Sequence, residues 1–487
     1  MARRATVIGS GPNGLTAAVT LARAGYDVQV LEADATPGGG VRTAELTLPG
    51  FQHDVCSAVH PAALSSPFLR AFGIRDRVDW IVPDISYAQP LDGGRAAIAW
   101  RDLDRTAEGL GRDARAWRAV VQPLAEHIDA VVELTGNQLL RVPRHPVVMA
   151  RFAARMLQMG SFLGRGTFAT DEAAALLAGV FAHANTALPS PASAASGLFL
   201  AAHGHTAEGW AYPRGGARTI ADALIDDLVA HGGEIETDRR IDRLEGLDWG
   251  DPEAGDLLML DTSPRLLLTL PDLPARYRRA VSAYRYGAAA AKVDFALDGP
   301  VPWANPDVTR SPTVHVAGTA DEVAVSENSV AAGRVSVHPY VLAVQPSIFD
   351  DTRAPEGAQT LWAYIHVPPG SRLDPTELVT RQIERFAPGF RDRILASSAM
   401  TAEQRSVYNP ADIGGDILGG AFTLPQAVRR PVVSTAPWRT PAHGVYLASA
   451  STPPGPGVTG MPGWHAARLA LGDLAGVPVD MEDIFPE

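Results

Sequence analysis

The apolar run Thr6-Val7-Ile8 leads straight into Gly9, Gly11 and Gly14, and this spacing serves one kind of chemistry, the seating of a diphosphate. Gly9 allows a tight turn, Gly11 lets a pyrophosphate approach the backbone, and Gly14 lets the following helix pack on its strand. Ser10, Pro12 and Asn13 complete the loop. Pro12 suits a helix start because its missing N–H would have no partner there. The free amides and the positive end of the helix dipole then face the phosphates. A second strand-like run, Val28 to Leu31, ends in Glu32, with Ala33 beside it. Glu32 is placed to accept hydrogen bonds from ribose hydroxyls, and its charge repels the extra phosphate of NADP, which leaves FAD or NAD. A second glycine turn, Pro37 to Thr43, brings Gly39, Gly40 and Arg42 to where a diphosphate would be approached again. NAD binding does not require that second turn.

Outside these loops the reactive residue types are sparse. There is no Ser/His/Asp set, and the histidines lack metal-ligand spacing: His203 and His205 stand two apart with no third ligand. No metal is expected. Lys292 lies inside an apolar strand pattern, where an unpaired ammonium is expensive and needs a polar or anionic partner unless it reaches solvent from a sheet edge. His60 is either a hydrogen-bond donor or base, or a loop histidine satisfied by backbone groups. Cys56, the only cysteine, reads as a small buried hydrophobe ahead of a nucleophile or flavin anchor. Trp362, Tyr364 and His366 alternate along one strand face, and Tyr364 and His366 are the candidates for lining a substrate cavity.

The elements that position these residues follow from patterning. A βαβ unit spans residues 5 to 33, and helical spacing dominates from about 67 to 206. A helix over 219–231 and a strand over 234–237 bring back the first grammar, followed by a buried strand in 257–263. Strands are expected at 290–297, 335–345 and 360–366. A final strand at 444–448 leads into the Pro/Gly-rich stretch 449–463 and a helix over 464–474.

Composition restricts function. A net charge of −12 disfavours nucleic acid as a partner. One cysteine excludes an internal disulfide, and the start lacks a signal peptide's apolar segment, so the cytoplasm is the expected compartment. Residues 173–207 are interrupted by Pro189, Pro191, Asn185 and histidines, which argues against a transmembrane helix. Residues 147–165 combine Val147, Phe152, Leu157 and Phe162 with Arg151, Arg155 and Arg165. They read as an amphipathic helix covering a substrate domain, with a membrane-surface helix as the alternative.

Taken together, the two glycine turns, Glu32, Tyr212-Pro213-Arg214-Gly215-Gly216 and the C-terminal Pro/Gly-rich helix entry resemble the phytoene desaturase and carotenoid isomerase superfamily of FAD proteins. The segments Asp54–Pro61, Tyr286–Leu297, Glu384–Phe390 and Ser451–Gly455 are similar to the branch typified by pyridine nucleotide-disulphide oxidoreductase domain-containing protein 2. The resemblance implies an α/β fold in which a Rossmann-type FAD-binding domain (1–66, 207–270 and 426–487) is interleaved with a substrate domain of mixed sheet plus helices (67–206 and 271–425). It implies non-covalent FAD, with Ser57, Ala58, Val59 and Ile241 among the cofactor contacts. Gly455, Gly457, Val458, Gly460 and Met461 match the segment that closes over the isoalloxazine. Where many relatives carry Gly-Asp, this chain has Ser449-Ala450, so Ser449 or Ser451 is the expected neutral substitute. Where relatives have Ala-Thr-Gly, this chain has Asp261-Thr262-Ser263, so Thr262 or Ser263 should make the contact while Asp261 turns away. In flavin amine oxidases a lysine in a strand like that of Lys292 holds a water near flavin N5.

The function these readings favour is FAD-dependent oxidation of a mainly apolar small molecule by hydride transfer to N5. A flavin amine oxidase is the second reading and needs an aromatic pair facing the flavin, for which Tyr446 and Trp464 are the candidates near the C-terminal loop. A non-catalytic FAD-binding interaction protein is the third.

Overall fold

A computed structural model describes residues 3–486. Two sheets organise the chain. The first has five parallel strands in the order Val445–Leu447, Leu257–Leu260, Arg4–Ile8, Asp27–Leu31 and Glu234–Glu236. Its strands Leu257–Leu260 and Val445–Leu447 are buried throughout and read as continuous apolar runs, whereas the edge strand Glu234–Glu236 is largely exposed. Helix Pro12–Arg23 starts immediately after the first glycine turn and packs on this sheet through Leu15, Val19 and Leu21. Helices Arg218–Ala230 and Met461–Ala475 pack beside it, their spacing of small residues allowing close approach.

The second sheet has seven strands in the order Ile394–Met400, Ala289–Leu297, Gln359–Val367, Val341–Val344, Thr313–Val316, Ile85–Pro90 and Ala96–Trp100. All its pairings are antiparallel except that of Thr313–Val316 with Ile85–Pro90. Period-two alternation sorts the side chains of Ala289–Leu297 cleanly. Ala291, Val293 and Phe295 join one apolar core with Ala363 and Ile365, whereas Ala290, Lys292 and Asp294 face the other way, together with Trp362 and Tyr364. A cap of helices covers that second face, including Ala114–Ala125, Pro146–Met159, Asp171–Phe181 and Pro191–His203.

The expected strand 335–345 is shorter than its pattern suggested. Pairing begins at Val341, because Val337 is exposed and Ser336 bonds locally to His338 while Pro339 has no N–H to offer a ladder. The amphipathic stretch 147–165 forms helix Pro146–Met159 and then a single turn at Phe162–Gly164.

Candidate active site

The two glycine turns meet. Gly39 has φ +52, and a Cβ there would stand 2.7 Å from the Gly11 Cα, so the second turn can lie on the first only as glycine. The Gly38 amide donates to the Ser10 carbonyl at 3.1 Å, and the Ser57 amide donates to Gly40 at 3.0 Å. These bonds carry the chain from the phosphate loop through Arg42 to Ser57, Ala58, Val59 and His60 in one continuous wall.

Glu32 ends its strand buried beside the loop. Its Oε2 accepts from the Ser10 amide at 2.9 Å and from the Ser10 hydroxyl, while Oε1 accepts from the Asp34 amide at 2.9 Å and from Arg42 at 3.2 Å. Arg42 also reaches Asp34 Oδ2 at 3.1 Å and lies over the Tyr408 ring. Its Nε has no partner among the described residues, and neither does Asn13 Oδ1.

Asp261 corrects the expectation drawn from its charge. It points into the loop, where Oδ2 accepts from the Gly14 amide at 2.9 Å. The amides and dipole at the start of Pro12–Arg23 attract a carboxylate as they would a phosphate. Burial, aggravated by the Glu32 charge, pushes the Asp261 carboxyl up to about 7. Ser263 instead bonds the Tyr286 hydroxyl and the Arg265 amide, and Thr262 bonds the Ser263 carbonyl. Ser451 donates to the Gly419 carbonyl at 2.7 Å, and the Ser449 hydroxyl accepts from the Ser451 amide at 3.2 Å. Ile241 packs on the apolar cluster of Ile8 and Leu260, and Ala33 is exposed beside Glu32.

From the loops a cavity of about 750 Å³ runs to the helical cap. Pro12, Asn13 and Gly40 line one end, Gly457, Val458, Thr459 and Met461 border it, and Phe152, Met156 and Phe199 close the far side. Lys292, Trp362, Tyr364, Ala290 and Leu342 form the sheet wall, and His60 and His183 also reach it.

Lys292 is buried at mid-strand, which excludes a snorkelling edge lysine. Its Nζ pairs with Asp294, two residues on and on the same face. Burial raises the Asp294 carboxyl to about 6 against the pull of that ammonium. Behind the pair stand His53, 3.6 Å from Asp294, and the buried Arg353–Asp54 ion pair at 2.6 Å. Burial and the cations Lys292 and Arg353 depress His53 to about 3, so it is neutral. His60 bonds the Ser57 hydroxyl at 3.1 Å, and burial lowers it to about 4, which suits a neutral hydrogen-bonding group better than a base near neutrality.

Of the two substrate-lining candidates, Tyr364 faces the cavity and His366 does not. His366 sits behind it, stacked on Tyr340 and bonded through Nδ1 to Glu327 at 2.7 Å. Tyr446 and Trp464 are also away from the cavity: Tyr446 bonds Asp473 beside the parallel sheet and Trp464 packs against Phe68. An aromatic pair does stand on the wall, Trp362 and Tyr364, with ring centroids 5.1 Å apart and nearly perpendicular. Sequence reading did not pick out Asp294, Arg405 or Asp412. The Asp294 signal was its same-face spacing from Lys292, whereas Arg405 Nε and Asp412 Oδ2, 2.9 Å apart, come from a segment with no motif.

The protein is similar in sequence to rat pyridine nucleotide-disulfide oxidoreductase domain-containing protein 2, with 25% identity over 96% of this chain and 93% of that one. It is 27% identical to a phytoene dehydrogenase of Streptomyces griseus over 93% and 91% of the two chains. Its fold matches that of cyclohexylamine oxidase from Brevibacterium oxydans with a TM-score of 0.56, at 17% identity and over 98% and 100% of the two chains. The family described as flavin containing amine oxidoreductase matches residues 13–463, which include the whole second sheet and nearly all of the cavity's lining, and the chain belongs to that family.

Proposed function

We propose that this FAD-dependent oxidoreductase oxidises a C–C or C–X single bond of a mainly apolar small molecule held against the Lys292 wall, a C–H bond on one atom giving up its hydride and the neighbouring atom its proton. The observation that carries the reading is the cavity itself, which is continuous from the glycine turns to the cap and mostly apolar, with one buried ammonium on its sheet wall. The residues present fit FAD. The glycine-on-glycine cradle admits a diphosphate to the backbone, and Arg42 Nε and Asn13 Oδ1 remain as polar atoms without partners. Bound there, FAD supplies the hydride acceptor, N5.

The cofactor assignment rests on Gly9, Ser10, Gly11, Pro12, Asn13 and Gly14 for the diphosphate, with Arg42 from the second turn. At Glu32 a ribose hydroxyl would take the place of the Ser10 hydroxyl, which can rotate aside where the two backbone amides cannot. Ser57 to Val59 and Gly457 to Met461, which border the cavity, would hold the ring, and the helix beginning at Met461 would turn its amino end to it. Lys292 holds a water by its ammonium, and Asp294 fixes that ammonium's direction. The cap helices exclude bulk water, which strengthens each of these electrostatic contacts.

Amine oxidation is the second reading, favoured by the Trp362–Tyr364 pair on the wall. The purified holoprotein, mixed anaerobically with polyenes, alcohols and amines, distinguishes the two. Bleaching of the flavin band by a polyene or alcohol supports the first reading and bleaching by amines alone supports the second. No bleaching by any class would overturn both.

A further inference from the structure

The cavity has a mouth, and its surroundings differ from the rest of the surface. Leu139 and Leu424 both line the cavity and stand 49% and 38% exposed, so the cavity wall reaches the surface at each of them. In the segment that follows Leu139, the side chains of Val142, Val147, Leu157, Phe162 and Leu163 are also exposed, Val142 at 89% and Phe162 at 74%. Val428 and Val433, which follow Leu424 in the chain, are exposed as well. An exposed apolar patch bordering a cavity marks a contact surface.

Charge identifies the partner. In a chain of net charge −12, residues 134–170 contain five arginines and no Asp or Glu, and residues 417–472 likewise contain no acid. Arg141 is taken by Glu133, but Arg144, Arg151 and Arg165 are exposed and pair with no acidic group among the described residues. The acids that follow the first segment, Asp171 and Glu172, are occupied by Arg95.

We propose that this face docks on an anionic lipid bilayer, with Phe162, Leu163 and Val142 entering the acyl boundary and the three arginines on the headgroup phosphates. Guanidinium groups bind phosphate in a planar fork, and apolar tips flanked by such groups are the makeup of a surface-bound segment. A protein partner or a second copy seated here would cover the mouth of the cavity, whereas a bilayer would supply an apolar substrate to it. The contact is superficial: among the described residues no helix is long and apolar enough to cross a membrane, and Pro146–Met159 has only 14 residues. Docking does not depend on which bond the enzyme oxidises.

The test is flotation of the FAD-loaded full-length protein with phosphatidylcholine vesicles, with and without phosphatidylglycerol. The protein should float with the anionic vesicles only, and high salt should weaken the association. Arg144→Glu/Arg151→Glu/Arg165→Glu should reduce vesicle affinity by about 10²-fold or more, and Phe162→Ser/Leu163→Ser by about tenfold, both retaining full flavin content. Absence of flotation at low salt, or flotation unchanged in both variants, would overturn the proposal. So would a dimer on size exclusion that Phe162→Ser/Leu163→Ser dissolves, since a second copy would then own the face.

Discussion

Asp261 Oδ2 lies 2.9 Å from the Gly14 amide, so a carboxylate from the end of one parallel strand occupies the start of the helix that the phosphate loop opens. A Cβ on Gly11 would stand 2.5 Å from that same oxygen. A diphosphate seated on this loop would therefore share one electrostatic environment with Asp261, on which Glu32 is the other acting charge.

Cofactor retention should consequently depend on pH. The folded-state pKa of Asp261 is raised to about 7, above the ordinary aspartate value, so the folded protein holds this proton below about 7 and loses it above. Ionisation in the folded state is unfavourable, so stability falls as pH rises from the ordinary value through 7. A neighbouring diphosphate raises the pKa further, so FAD binding takes up a proton and weakens as pH rises through neutrality. Asp261→Asn keeps an acceptor for Gly14 without the charge. Fluorescence titration of the deflavinated protein should show tighter FAD binding at alkaline pH in this variant and little pH dependence. The same slope in both proteins would reject the linkage.

Gly11→Val should abolish flavin retention. Its side chain would collide with Asp261 and fill the space beside the backbone that a diphosphate needs. The check is the flavin-to-protein ratio of a variant with native circular dichroism, and a full complement would show that the cofactor binds elsewhere.

Lys292→Met should slow turnover by about 10²-fold while FAD stays bound, as expected for a group that helps move a proton. Removing the ammonium also strands the buried Asp294 carboxylate, a structural penalty in its own right. The double variant Lys292→Met/Asp294→Asn removes that penalty. Stopped-flow rates for reduction and reoxidation should fall in both variants, and rates unchanged in the double variant would assign Lys292 a structural role.

FAD should be released by acid precipitation. Cys56 lies next to Arg405 and His60 is bonded to Ser57, and although both border the cavity, neither belongs to an attachment motif. A yellow supernatant is expected. Flavin left in the denatured pellet would reverse the assignment.

What the sequence by itself determined is local. The spacing of Gly9, Gly11 and Gly14 after an apolar run, Pro12 at a helix start and Glu32 at a strand end dictate backbone geometry over a few residues, and the structure has that geometry. Alternation likewise placed Lys292, Trp362 and Tyr364 in strands, because a period of two is a property of the backbone itself. Tertiary structure decided which way each charge points. Asp261 turns into the loop because helix amides 247 residues away in sequence are its nearest donors. His366 is drawn behind the wall by Glu327 from a covering helix, although it shares a strand face with Tyr364. Such choices depend on desolvation and on partners brought together only by folding, and no residue's neighbours in the chain contain that information.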